Sequence, residues 1–226
     1  MIKSAGEAVG FLRGILGDYP YESIRIAERP KYDQDLFAFG NVLVLPENHG
    51  WIADISRKQD LDYLRYVTAR LIAEQYMQQA NLSKTQGYPL ITKSIPAYLA
   101  LLQLKAFYGV GSLEKHLEKS HDTYLKGRAE EPNQEPVLLK ADEEASYVSE
   151  QKGGYILYRL SQLIGEKKVN EAISSFLSEA RASPTTVNAG LFYQKLQAVT
   201  DSKHQAFLKS GFQGLEIYKP APNSIN

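Results

Sequence analysis

The sequence predicts an α+β fold that is mainly α, with a small β-containing lobe at its start and a helical body behind it. Two patterns lead there. Ile24 and Ile26 alternate with polar neighbours over Ser23–Glu28, and Leu36–Leu45 is rich in aromatic and β-branched residues, so both stretches read as strands. From about Lys58 onward apolar residues recur every three or four positions, as on one face of a helix. At 226 residues, 43% hydrophobic and 23% charged, the chain has the length and balance of one sizeable globular domain.

Residues 5–16 form a helical pattern that stops at the turn cluster Gly17-Asp18-Tyr19-Pro20. The two strands follow. Leu64, Val67 and Leu71 mark a helix over 59–80, and further helices are expected over 93–108 and 112–126. Residues 127–146 are acidic with two prolines and read as a solvated surface connection. Helices resume over 151–164 and 167–181, the second with Val169, Ala172, Ile173, Phe176, Leu177 and Ala180 on one face. Ser183-Pro184-Thr185 ends it, two shorter helices cover 189–199 and 201–210, and Gly214–Tyr218 reads as a strand. The expected organisation is a mixed lobe over 1–57, a helical body over 58–212, and a tail over 213–226 leading toward a following domain.

Lys+Arg and Asp+Glu both number 26, so no global field favours nucleic acid. There is no cysteine, which excludes disulfides and thiolate-bound zinc. No apolar run approaches the length of a membrane span. His116 and His121 are five apart on a charged helix, poor geometry for chelation, and read as a solvated face. Gly153-Gly154 is too little for a phosphate cradle. Most of the fifteen tyrosines fall at apolar helical positions and read as core residues with a polar tip.

Several segments in order carry a resemblance. Gly17-Asp18-Tyr19-Pro20-Tyr21, Leu45-Pro46-Glu47-Asn48-His49-Gly50-Trp51-Ile52, Val67–Tyr76, Thr92–Tyr98, Tyr124–Arg128, Tyr147–Gly153 and Leu163–Asn170 resemble, with similar spacing, the successive motifs of the M1 zinc aminopeptidases. The likeness runs from about residue 8 to 212 and is nearest to the M1-like domain fused to bacterial ABC-2 type transporter permeases. It implies a thermolysin-like, gluzincin catalytic domain. The family's metal motif is H-E-x-x-H, eighteen residues, then Glu, because two histidines four apart share a helix face and a glutamate from the next helix completes the zinc site. Here Arg70 and Glu74 fall on the two histidine positions, Leu71 on the general base, and Lys93 on the third ligand. In the pattern Y-x-x-Y-x-K-G the transition-state tyrosine falls on Glu150, whose carboxylate would repel an oxyanion, while Tyr147 matches the non-catalytic aromatic.

The resemblance therefore implies an inactive domain: no catalytic residue, no metal, no cofactor. Two neutral histidines, a glutamate and Zn²⁺ carry a net +1, and so do Arg70, Glu74 and Lys93, which leads to the expectation that these three form a salt-bridge cluster in place of the metal. The bland counterpart is three separate solvated side chains. Pro96, three residues past Lys93, implies that this helix starts later than in active relatives. The inherited cleft, edged by Glu47, His49 and Tyr147, is expected to hold a peptide or protein segment by strand addition near Asn41–Leu45. By the same resemblance the chain is expected to be an extracytoplasmic part of a membrane transporter, with the parent's membrane-embedded domains as partners. Two other readings stay open: a hydrolase with a relocated metal site at Glu47, His49, Glu74 and Glu150, and a purely structural module.

Overall fold

The computed structural model describes residues 1–30, 32 and 36–218. Helix α1 (Ile2–Leu16) buries Ala5, Ala8, Leu12 and Leu16 on one face and ends at Gly17, whose φ of 83° is a conformation that suits glycine. Strands β1 (Arg25–Arg29), β2 (Phe37–Phe39) and β3 (Val42–Pro46) form a sheet of order β1-β3-β2, with β1 parallel to β3 and β2 antiparallel to it. The single strand expected over 36–45 is thus a hairpin, because Gly40 takes a positive φ of 53° and reverses the chain. This places β3 between β1 and β2, so the stretch near Asn41–Leu45, expected to receive a peptide by strand addition, is already paired on both sides. Leu43 and Leu45 point inward, and two glutamines from later in the chain fasten the hairpin: Gln75 donates to the Gly40 carbonyl at 2.8 Å and Gln78 to the Ala38 carbonyl at 2.6 Å. A short helix α2 (Glu47–Gly50) follows β3.

Helix α3 (Lys58–Met77) is the axis of the fold. From Tyr66 to Met77 every residue is buried, since the sheet, α1 and α4 surround that half. Helix α4 (Ile95–Tyr108) is preceded by a π-helical turn over Leu90–Ser94, so helical structure already begins at Tyr88. The late start expected from Pro96 does not occur. The π turn changes the bonding ahead of the proline: the Ile95 N–H reaches back five residues to Leu90, and Pro96, which has no N–H, sits in the first turn of α4. Gly109 turns the chain into α5 (Val110–Glu130).

The stretch expected as a solvated connection from 127 differs in two ways. Helix α5 runs on to Glu130, and Glu135, Leu138 and Ala141 are buried. The reason is an ion pair: Glu135 meets Lys152, itself 1% exposed, and Arg128, while Tyr124 donates to it at 2.7 Å. A second π turn, Tyr147–Lys152, leads into α6 (Gly153–Ile164), then α7 (Glu166–Ala182), α8 (Ala189–Val199) and α9 (Gln205–Gln213). The expected one-sided face of α7 is present, with all six apolar residues buried. Residues 214–218 form neither helix nor strand, which corrects the strand expected there; the tail beyond 218 lies outside the described residues.

The two π turns lie against each other. Ser94 donates through its hydroxyl to the Ser149 carbonyl, and a Cβ on Gly153 would meet Ser94 Oγ at 2.2 Å, one on Gly154 the Cβ of Ala97 at 2.8 Å. Gly153-Gly154 therefore serves close helix packing. Buried apolar residues from Ala5 to Tyr218 form one continuous core across both ends of the chain. Among the described residues no helix is long and apolar enough to cross a membrane.

Candidate functional site

Helix α3 places Arg70 and Glu74 four residues apart on one face, and the two π turns bring Lys93 and Glu150 to the same point. The Arg70 guanidinium donates to Glu74 at 2.7 Å and pairs with Glu150 at 3.2 Å; Lys93 donates to the same Glu74 oxygen at 3.2 Å. Arg70 is 3% exposed and Glu74 5%. The three residues expected to cluster do so, and not as separate solvated groups. Glu150, considered from sequence only as a misplaced tyrosine, is the fourth member, so the group carries two cations and two anions and is neutral. Burial alone would lower the Arg70 pKa, but Glu150 and Glu74 outweigh it and hold the guanidinium above its ordinary value. Arg70 stays charged. Its Nε is buried without a hydrogen-bond partner.

The other candidate positions do not join this cluster. Leu71 is fully buried in the apolar core. His49, on α2, bonds through Nδ1 to the Tyr63 hydroxyl at 2.7 Å, and burial lowers its pKa. Tyr63 in turn is pushed up to about 12, first by burial, with Arg70 opposing and Glu150 adding to the shift. Glu47 is half-buried in the first turn of α2. Tyr147 donates to Glu131 at 3.1 Å and lies 6.1 Å from the ring of Tyr124, so it belongs with the Glu135–Lys152 group. Among the described residues no three His, Asp or Glu side chains converge as a metal site needs, so Glu47, His49, Glu74 and Glu150 are not assembled into the relocated centre considered above.

His116 also departs from expectation. It is half-buried and not on a fully solvated face: its ring lies 3.7 Å from that of Tyr66, and burial, then the charges of Lys119 and Arg70, push its pKa down to about 3. His121 packs edge-on against Tyr218 at 5.2 Å, with Nε2 buried. Sequence periodicity alone gives no sign of these two, because their covering aromatics come from other elements. The Glu135–Lys152 pair did leave a sign: Val148, Lys152 and Ile156 are four apart and all buried, and a lysine on such a face needs an acid brought to it.

No family model matches the sequence, and no curated protein resembles it closely enough to be recognised as a relative. Solved structures do match its shape. An M1 zinc metallopeptidase from Deinococcus radiodurans superposes with a TM-score of 0.69 at 15% identity, over 99% of this chain and 46% of that one. Leukotriene A4 hydrolase from Saccharomyces cerevisiae superposes with a TM-score of 0.72 at 14% identity, over 96% of this chain and 35% of that one. This chain thus spans less than half of either protein. At such identities the likeness concerns the fold, and that is the conclusion the structure supports: the chain has the mainly helical gluzincin-type fold seen in M1 zinc metallopeptidases.

Proposed function

We propose that this chain is a pseudopeptidase domain, a gluzincin fold without the chemistry of peptide hydrolysis that acts in binding or assembly. The Arg70 cluster carries the reading. A zinc hydrolase needs lone-pair ligands, an activated water, a base and an oxyanion donor. At the positions resembling those seats, Arg70 is a buried permanent cation with donors only, Lys93 is an ammonium paired to Glu74, and Leu71 accepts no proton. Zinc does not fit this set: the one carboxylate among the three is already shared by two cations, and Glu150 adds a second carboxylate where an oxyanion would need a donor. The placement of the domain on the extracytoplasmic side of a bacterial transporter, with the parent's membrane-embedded domains as neighbours and a peptide or protein segment in the cleft, rests on the sequence resemblance.

Elemental analysis of the purified chain tests the reading. Zinc is expected well below one equivalent, with no turnover of fluorogenic aminopeptides. Stoichiometric zinc, or turnover abolished by a chelator, would refute it. The reverse graft sharpens the test: Arg70→His, Glu74→His and Lys93→Glu together are expected to create zinc affinity, because α3 and the first π turn already bring those three positions together.

A further inference from the structure

A second group of aromatic side chains, Tyr124, Tyr155 and the His121 ring, surrounds Tyr218. After α9 the chain leaves the helix at an extended Gly214 and runs on without regular structure to Tyr218. Glu216 and Ile217 are exposed, yet the Tyr218 ring is 8% exposed. It stacks on Tyr155 at 4.3 Å with a 22° interplanar angle, lies 4.9 Å from Tyr124, and takes the edge contact from His121. Near its start the segment is held by the Gly214 N–H to the Ser210 carbonyl at 2.8 Å and by Arg128 to the Leu215 carbonyl at a long 3.4 Å. The ring is its buried anchor.

The fit of that anchor is incomplete. His121 Nε2 is buried without a hydrogen-bond partner, and the buried Tyr218 hydroxyl meets the Ser120 hydroxyl, which already donates to Gln151 at 2.8 Å. Beside the ring the pocket continues into a cavity of about 210 Å³ lined by Tyr155, Ile156, Arg159, Phe207 and Gly211, together with Glu216 and Ile217 of the segment. A cavity left alongside the occupant, and a buried ring nitrogen left without a partner beneath it, describe a receptor site filled by a makeshift ligand.

We infer that the pocket of His121, Tyr124 and Tyr155 is a binding site for an aromatic residue carried on a non-helical, acidic peptide segment, and that Gly214–Tyr218 is its self-supplied occupant, displaceable by such a segment in trans. The stacked rings select an aromatic side chain, the non-helical course of 214–218 sets the backbone form, and Arg159 at the cavity wall favours an acid two residues before the ring, as Glu216 stands before Tyr218. This site gives the proposed binding role a ligand class. Its failure would remove the site while leaving zinc content, and with it the pseudopeptidase reading, to be decided separately.

The test is fluorescence anisotropy with an end-blocked, labelled Gly-Leu-Glu-Ile-Tyr peptide, titrated with the full chain. Tyr218→Ala, which vacates the pocket, is expected to bind the peptide at least tenfold more tightly than the unaltered chain. Adding Tyr155→Ala to it, or replacing the peptide's tyrosine by alanine, is expected to abolish that gain. Equal binding by the unaltered chain and the Tyr218→Ala variant, or binding that survives Tyr155→Ala, overturns the inference. So does a Tyr218→Ala chain whose circular dichroism shows it unfolded, since a pocket that collapses when emptied cannot receive another ligand. Hydrogen exchange on the unaltered chain gives an independent reading: the amides of 215–218 are expected to exchange well before those of α5 and α6, and exchange of both only together would equally refute displacement.

Discussion

Replacing Arg70 by leucine separates a stabilising ion cluster from an ornamental one. The guanidinium is 3% exposed and neutralises both Glu74 and Glu150, so its loss leaves two carboxylates sharing a buried corner with one lysine. Breaking a buried pair by removing one partner costs about 3–5 kcal/mol. Lys93 still faces Glu74, and the Glu150 side chain, 22% exposed, can turn to water, which places Arg70→Leu at the low end, about 3 kcal/mol. For a chain of this length that is a fall in Tm of roughly 6–12 °C. Lys93→Met should cost much less, about 1 kcal/mol, because its side chain is 33% exposed and water already screens the pair. The double variant Arg70→Leu with Glu74→Leu should be less destabilised than the sum of its single changes, since apolar side chains can replace a buried pair with little loss. Thermal and urea unfolding followed by circular dichroism read all of these. Additive single and double effects, or Lys93→Met costing as much as Arg70→Leu, would refute the cluster as a coupled unit.

Three further outcomes follow from the packing. His116 is held neutral, with a folded pKa of about 3 against about 6.5 unfolded, so the unfolded chain binds more protons between those values. Its stabilising contribution is therefore present above about pH 6.5 and lost as the pH falls toward 3; between pH 7 and 5 the chain should lose about 2 kcal/mol through this group, a loss that His116→Gln removes in urea titrations at the two pH values. Glu135→Ala strands Lys152, buried at 1% exposure, and should cost about 3–5 kcal/mol while speeding proteolysis within 131–146; a change under 1 kcal/mol would show that the pair does not pin the segment. Gly153→Ala drives a methyl to 2.2 Å from Ser94 Oγ and should cost about 1–3 kcal/mol by thermal melting, whereas Gly165→Ala, which meets nothing within 4 Å, reports only the strain of its positive φ.

Regular periodicity was the readable part of this chain. Helix α7 follows from its spacing, and α3 from Leu64, Val67 and Leu71, because one-sided burial writes itself into the order of residues. Non-local packing left weaker traces. The hairpin in place of one strand depended on a single glycine, Gly40, within an otherwise strand-like run. The burial of Glu135, Leu138 and Ala141 depended on Glu135 finding Lys152 across the fold, and its one local trace was a lysine four residues from Val148 and Ile156. In the candidate site, Arg70 and Glu74 were legible as an i, i+4 pair, and Lys93 through motif spacing. Glu150 was missed as their partner because its charge was weighed against an absent oxyanion and not against Arg70, the cation nearest it. The histidines were misread for a related reason: five-residue spacing argues against chelation but says nothing of the aromatic rings that arrive from α3 and the C-terminal segment.

The paired π turns have a bearing on how this chain tolerates change in length. Each accommodates one residue beyond a regular α-helix, and each carries one charged member of the cluster, Lys93 in the first and Glu150 in the second. Deleting a residue within either turn would let the helix relax to ordinary α geometry with its flanks near their present phase, but it would shift the residues inside the turn by one position, about 100° around the axis. The core could survive such an event while a cation or an anion swung out of the neutral group. The turns thus act as the fold's indexing positions, where a single deletion re-addresses the centre of the molecule and leaves its scaffold standing.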